Sequence, residues 1–577
     1  MKGIGRSVFD GSKIEEFQVE ILGVLKNIAP RQNVILARLS GGPLERTGVL
    51  AGMSGSPVYI EGRLVGAVAL AFQFSKEPIA GITPIEQMLQ SFEEETPQPS
   101  VPDTNSAWRF EPGMGAGDDP RLIALRTPDF VPPSANRGSP VFWEGRETSL
   151  VPVATPLVLS GFTSEAMEHF GGPLRSLGLI PVQGGGSGTG DDNGMGDPSR
   201  LHPGSMISVQ LVRGDMSASA DGTVTLVDKN NIYAFGHPFL SSGPTEIPFS
   251  ESQVIAVLPS YSSAMKITTP GRLLGMIGQD RASGISGVLG RTARTIPVEI
   301  EIVSSRGTSR SYHFEMANNR FLLPFLMNLT ALAAIGSTER QVGDSTLRVE
   351  QTIALEGLPE VKAENFVSGS SNIAVAAAQS ASNPLTYLVQ SSVAPLDIRS
   401  IRLKIVSTDR HLARELEQLW ASKREVKAGE TLELTALLRG QDGKETLQKS
   451  TVEIPLGLTP GPLMIAVADG ASMDRAEGGR AGRAFLPKNP QQLVRAINKS
   501  RRNNRLYVRL GRSQTGFVLK GENFPSPPPS VVRAFSADPA LSTDMSPTAL
   551  STIFEYEMDP MPSVVTGYRT ITVTVKD

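Results

Sequence analysis

The sequence predicts a mainly β protein of several domains, and three observations carry that reading. Apolar and polar residues alternate with a period of two in separate runs, among them Glu16–Ile21, Thr346–Ile353 and Thr431–Leu437, as half-buried strands require. Glycine (57) and proline (43) are both enriched while aromatics are sparse, which favours short strands and many turns over long helices. The length of 577 residues suits three to five domains at roughly 150 residues each.

Composition also removes whole classes of function. A net charge of −3 gives no electrostatic case for a nucleic-acid partner. Cysteine is absent, so disulfides, thiol nucleophiles and thiolate metal sites are excluded. The most apolar stretch, Phe321 to Ile335, is interrupted by Pro324 and too short to span a membrane. It reads as a buried helix. The opening Met1-Lys2-Gly3-Ile4-Gly5 is not a signal peptide and runs straight into folded-type sequence.

Taken in order, residues 1–95 form a β-rich unit. Strands are expected at Glu16–Val24 and Val34–Leu39, then a hairpin from Val58–Ile60 to Leu64–Leu70 across Glu61-Gly62. Thr83 and Pro84 are a cap and first position for a short helix, which Glu93-Glu94-Glu95 closes. From Thr96 to about Pro140 periodicity disappears and a linker is expected. Within 96–200 a small αβ insertion follows, extended over Pro152–Phe162 and helical over Ser164–Leu177. The spacer Gly184–Gly196 has neither the flanking strand and helix of a nucleotide loop nor, despite Asp191, Asp192 and Asp197, the spacing of a calcium loop.

Residues 201–320 return to strands, at Ser205–Arg213, Gly222–Asp228, Ile232–Phe235 and Ile296–Val303. Residues 321–480 read as the buried helix and a β-sandwich-like domain. A helix is expected at 409–424, where Leu412, Leu416, Leu419 and Trp420 make a core-facing stripe. The last segment, 481–577, has a helix near Asn489–Arg501 and strands at Leu506–Leu510 and Tyr568–Val575. Its basic cluster (Arg495, Lys499, Arg501, Arg502, Arg505) carries no interleaved aromatics and reads as a solvated face.

One stretch carries chemistry. Gly52-Met53-Ser54-Gly55-Ser56-Pro57 sets a serine on a small-residue turn ahead of the Val58–Ile60 hairpin. It departs from the G-x-S-x-G elbow at Ser56, and strands rather than a helix follow. A polar hairpin turn is the plain alternative. The turn resembles the G-x-S-G-x-P turn of chymotrypsin-like serine peptidases. That resemblance implies Ser54 as nucleophile, the amides of Gly52 and Ser54 as oxyanion hole, and a chymotrypsin-like double β-barrel built from two sequence blocks.

A serine nucleophile needs a base, most often histidine. Of the five histidines, His169 falls in a candidate helix, His202 in a loop, His313 in an alternating strand and His411 at a helix start. His237 alone ends an apolar strand beside a glycine, Gly236, although such a residue can equally be structural.

Together the blocks resemble the peptidase family of the sporulation protein SpoIVB. The resemblance rests on Val8-Phe9-Asp10-Gly11, Glu16–Ile21, Thr47–Pro57 and Gly66-Ala67-Val68, then on Gly222-Thr223-Val224-Thr225, Tyr233–His237 and Gly275–Gly290. The serine block precedes the histidine block here, the reverse of the family's order. Glu45 is the only acid shortly upstream of the serine, and no PDZ module is apparent. The resemblance implies a serine endopeptidase acting on a protein or peptide without cofactor or metal. It also implies export to the periplasm or exterior, with a signal peptide missing from this chain; a cytoplasmic site stays open. For the triad acid, Asp280 in its glycine-rich turn is expected, with Glu246 next and Asp228 also in reach. Two other functions remain: a silent peptidase fold used for binding or assembly, and an esterase. Neither block looks able to close a barrel alone, so a composite pair of six-stranded barrels is expected.

Overall fold

The computed structural model describes all residues except 31, 73–74, 94–149, 186–193, 261–262, 340–341, 392–395, 482–486, 488, 513–515, 520–521, 525–526, 539–544, 549–550 and 577. The linker expected over 96–140 and most of the Gly184–Gly196 spacer lie outside the described residues. The chain is mainly β, as expected, and divides into two compact units. One holds residues 1–93, 150–299 and 311–337, the other 300–310 and 338–576.

In the first unit β1 (Lys2–Asp10), β2 (Lys13–Ala29) and β3 (Gln32–Ser40) lead to a short helix, α1 (Leu44–Thr47), and the serine turn. Then come β4 (Pro57–Ile60), β5 (Arg63–Phe72), β6 (Ile79–Pro84) and α2 (Ile85–Glu93). The antiparallel order β4-β1-β2-β3-β6-β5 returns to β4, because β4 also pairs with β5. The ring is therefore closed. Alternation puts Phe17, Val19, Leu39, Val58, Val68 and Ile82 into its core. Opposite Phe17 stands Gly5, where any side chain would occupy the volume of the Phe17 ring.

After β7 (Leu150–Pro152), β8 (Thr155–Ser160), α3 (Ser164–Ser176) and β9 (Leu179–Gln183), six more strands form a second ring. These are β10 (Met206–Gly214), β11 (Ser217–Asp228), β12 (Asn231–Ala234), β13 (Gly243–Leu258), β14 (Met265–Arg281) and β15 (Gly284–Leu289). Their order β10-β13-β14-β15-β12-β11 closes through the β10–β11 pair. Each sequence block thus closes its own ring, contrary to the expectation that neither could, and both lie in one compact unit. The means is strand length: β2, β13 and β14 run to 17, 16 and 17 residues. Composition had suggested short strands, but register shifts within each long strand let it bend around a ring. Two closed six-stranded rings are consistent with the chymotrypsin-like fold.

In the second unit, strands Val342–Leu355, Val361–Ser371 and Ile398–Thr408 pair antiparallel. Two further sheets share one core, in which Leu416, Leu432 and Leu434 meet Leu463, Ile465, Leu506 and Val573. The helix expected at 409–424 is instead a strand, Ala413–Ala421, paired with Thr431–Gly440. Its four apolar residues fit a helical stripe, but only Leu416 is fully buried and Trp420 faces solvent. Sheet pairing overrides the local pattern. In the basic cluster Arg495, Lys499 and Arg502 are exposed as expected, while Arg501 and Arg505 are partly buried and ion-paired. Arg501 pairs with Asp474 and Glu555, Arg502 with Glu364, and Arg505 with Glu557.

Candidate active site

The serine turn hangs between α1 and β4 and is tied on both sides. The amide of Ala51 donates to the Ala264 carbonyl at 2.9 Å, Met53 to Leu50 at 3.0 Å, Gly55 to Val68 at 2.7 Å and Ser56 to Met53 at 2.9 Å. The amides of Gly52 and Ser54 find no such acceptor among the described residues. On the carbonyl side the partners come from β11. The Thr223 amide donates to the Ser54 carbonyl at 2.8 Å, the Thr223 hydroxyl to Gly52 at 3.0 Å, and the Thr225 hydroxyl to Gly55 at 2.8 Å. Gly55 permits this approach: it has φ +93°, and a Cβ there would overlap the Thr223 carbonyl.

The Ser54 side chain is fully buried, and its hydroxyl has no hydrogen-bond partner among the described residues. His237 is 5% exposed, and its Nε2 is likewise buried without a partner among the described residues, so the two groups make no hydrogen bond to each other. The ring's other nitrogen, Nδ1, lies 2.8 Å from the Pro238 carbonyl oxygen. A carbonyl can only accept, so Nδ1 carries the hydrogen and Nε2 presents its lone pair. Burial pushes the ring down to about 4, against the pull of the Pro238 and Val153 carbonyls. His237 is therefore neutral at pH 7, the state a general base needs.

Local backbone aims this ring. Phe235 and Gly236 both have φ of +71°, an abrupt turn at the end of β12. The Phe235 amide reaches the Thr223 carbonyl at 3.3 Å, and the Gly236 carbonyl accepts from the Thr83 hydroxyl at 2.7 Å. Thr83, expected as a helix cap, is spent on the histidine segment instead. The serine and histidine segments are thus bound to the same strand, β11, through Thr223.

Asp280 is buried and binds the loop that follows His237, but its carboxylate makes no hydrogen bond to the ring. Its carboxylate accepts from the amides of Phe239 at 2.8 Å, Leu240 at 2.7 Å and Ser242 at 3.0 Å. Burial raises its pKa against these bonds. Glu246 instead binds Arg294, and Asp228 and Glu45 are exposed. The expected carboxylate on the histidine is replaced in this geometry by a main-chain carbonyl, and Asp280 fixes the loop that begins at Pro238. Neither Thr223 nor that carbonyl was legible as a site group: one is an ordinary strand residue, the other has no side-chain signature.

A cavity of about 140 Å³ lies beside the turn, lined by Gly48, Ala51, Val153, Ala154, Arg175 and Ala264 among others. Ala51 precedes Gly52, and Val153 supplies the second carbonyl near the His237 ring. No cluster of metal-ligating side chains occurs among the described residues, and no helix among them is long and apolar enough to cross a membrane.

The model of the SpoIVB peptidase S55 family matches residues 4–89. Over this segment the chain is similar to SpoIVB-type peptidases. The match takes in the first ring with Gly52, Ser54 and Gly55, and ends well before His237. No curated protein and no solved structure matches the chain. A SpoIVB-type peptidase acts on peptide bonds, and the matched segment holds the serine turn.

Proposed function

We propose that this chain is a serine endopeptidase of the SpoIVB type, with Ser54 as nucleophile and His237 as base. The observation that carries the reading is the serine turn, where the amides of Gly52 and Ser54 have no carbonyl partner among the described residues while their neighbours are bonded. Two such N–H groups suit the oxygen of a tetrahedral intermediate, and one donor of this kind is typically worth about 3–4 kcal/mol of barrier. Ser54 Oγ attacks the scissile carbonyl, and its proton passes to Nε2 of His237 and on to the leaving amine. Water then hydrolyses the acyl-enzyme by the same route in reverse. The Pro238 carbonyl holds the ring in the required tautomer, with Asp280 anchoring the loop behind it. The cavity at Ala51 and Val153 receives a substrate side chain, and export of the protein accompanies this reading.

Fluorophosphonate labelling tests it. The probe is expected to modify Ser54 in the wild-type chain and nothing in Ser54→Ala. A second reading, a silent peptidase fold used for binding or assembly, draws support from the lack of a carboxylate on the His237 ring. Failure to label Ser54 would establish that second reading over the first.

A further inference from the structure

The serine turn rests against a buried cation that the chemistry above does not use. Lys266 stands on β14 in the second ring and is fully buried. Its Nζ crosses to the first ring and donates to Ser7 Oγ at 2.8 Å. That same oxygen accepts from Ser56 Oγ at 3.0 Å, two residues beyond Ser54. The stem of the lysine runs along the turn, since a Cβ on Gly52 would lie 3.5 Å from the Lys266 Cδ. The remaining neighbours of Nζ are weak ones, Met206 Sδ at 3.4 Å and the Phe9 ring at 5.4 Å.

The titratable group facing Lys266 is Asp221 on β11, also fully buried. The carboxylate of Asp221 is occupied by the hydroxyls of Ser208, Ser252 and Thr268. An ammonium with one oxygen partner among the described residues, buried in the interior, is poorly screened. In acyl transfer, negative charge develops at the nearby amides of Gly52 and Ser54.

Resting on the peptidase reading, the geometry points to Lys266 as a positioning residue of the serine turn, holding it through Ser7 and Ser56 and favouring the oxyanion by its charge. Burial brings this ammonium down to about 7, while the field of Asp221 sustains its charge. Asp221 itself is pushed up to about 6 by burial. The lysine charge is therefore lost as pH rises through neutrality, and the help given to the oxyanion goes with it.

The test is the second-order rate of fluorophosphonate labelling at Ser54 between about pH 5 and 9, a range spanning the reference behaviour of such a buried lysine. In that step the Ser54 Oγ–phosphorus bond forms, the P–F bond breaks, fluoride leaves, and the serine proton passes to His237. The wild-type rate is expected to fall to a lower plateau as pH rises through neutrality. Lys266→Met should lower the rate about tenfold on the acid side, as loss of a preorganised charge does, and abolish the fall. Asp221→Asn should move the fall to lower pH, because it removes the carboxylate that sustains the charge.

Labelling of wild type with no change across neutrality, or a fall that persists in Lys266→Met, overturns the inference and leaves the peptidase standing. If Lys266→Met does not fold, the wild-type profile and the Asp221→Asn displacement decide. No labelling at any pH overturns the peptidase reading and this inference together, so the two failures are distinguishable.

Discussion

Thr223 donates its amide to the carbonyl of Ser54 at 2.8 Å, and its own carbonyl accepts from Phe235, two residues before His237, at 3.3 Å. One residue of the second ring thus joins the Ser54 segment to the His237 segment. Thr223→Val keeps both main-chain bonds and deletes the hydroxyl bond to Gly52. It should cost about 1–2 kcal/mol in denaturant unfolding and slow labelling of Ser54. Unchanged labelling would mean that the hydroxyl does not hold the amides of Gly52 and Ser54 in place.

Gly55→Ala is the harsher change. The position has φ +93°, and an added Cβ would lie 2.5 Å from the Phe235 amide nitrogen as well as overlapping Thr223. Backbone atoms cannot rotate away as a side-chain end can. A loss of about 3 kcal/mol or more is expected, read as a lower melting temperature, with Ser54 labelling abolished. A variant with wild-type melting and labelling would show that the turn and β11 separate easily.

Asp280→Asn separates two roles for that acid. The carboxylate takes three amides and the Ser242 hydroxyl, and an amide side chain cannot replace both oxygens. Stability should fall by about 2 kcal/mol or more, and labelling should slow as the His237 loop loosens. The acid limb of the labelling profile, which reports His237, should keep its position. A limb displaced to lower pH would instead place Asp280 on the ring.

His237 has a pH signature of its own. Folded, it is held at about 4; unfolded, it titrates at about 6.5. Between these values the unfolded chain binds the extra proton, so stability falls as pH drops from about 6.5 and the loss is complete below about 4. The whole loss is about 3 kcal/mol. His237→Gln should flatten the stability profile within that window and abolish labelling of Ser54. Parallel profiles for the two chains would contradict a buried neutral histidine.

Filling the cavity beside the turn should act on substrate choice. Ala154, half-buried in its lining, can be replaced by leucine without crowding the core. Ala154→Leu is expected to reduce cleavage of peptides with large side chains about tenfold or more, with little change for those carrying alanine or glycine. An equal effect on every peptide would remove the cavity from substrate recognition.

Alternation along the chain was sufficient by itself for the β class, for most strand positions and for the helices near 164–177 and 321–335. The small-residue turn marked Ser54, and a glycine after an apolar strand marked His237, because both need unusual backbone that only certain residues allow. Ring closure was not legible, since it depends on which strands pair across nearly the full length of a block. The strand at Ala413–Ala421 was misread for the same reason: its partner decides its state more than its own pattern does. Only the tertiary structure put a carbonyl on the His237 ring, turned Asp280 to main-chain amides, and brought Lys266 against Ser7, 259 residues away. Hydrogen bonds to backbone and between distant buried side chains leave no local periodicity, so folding alone decides them.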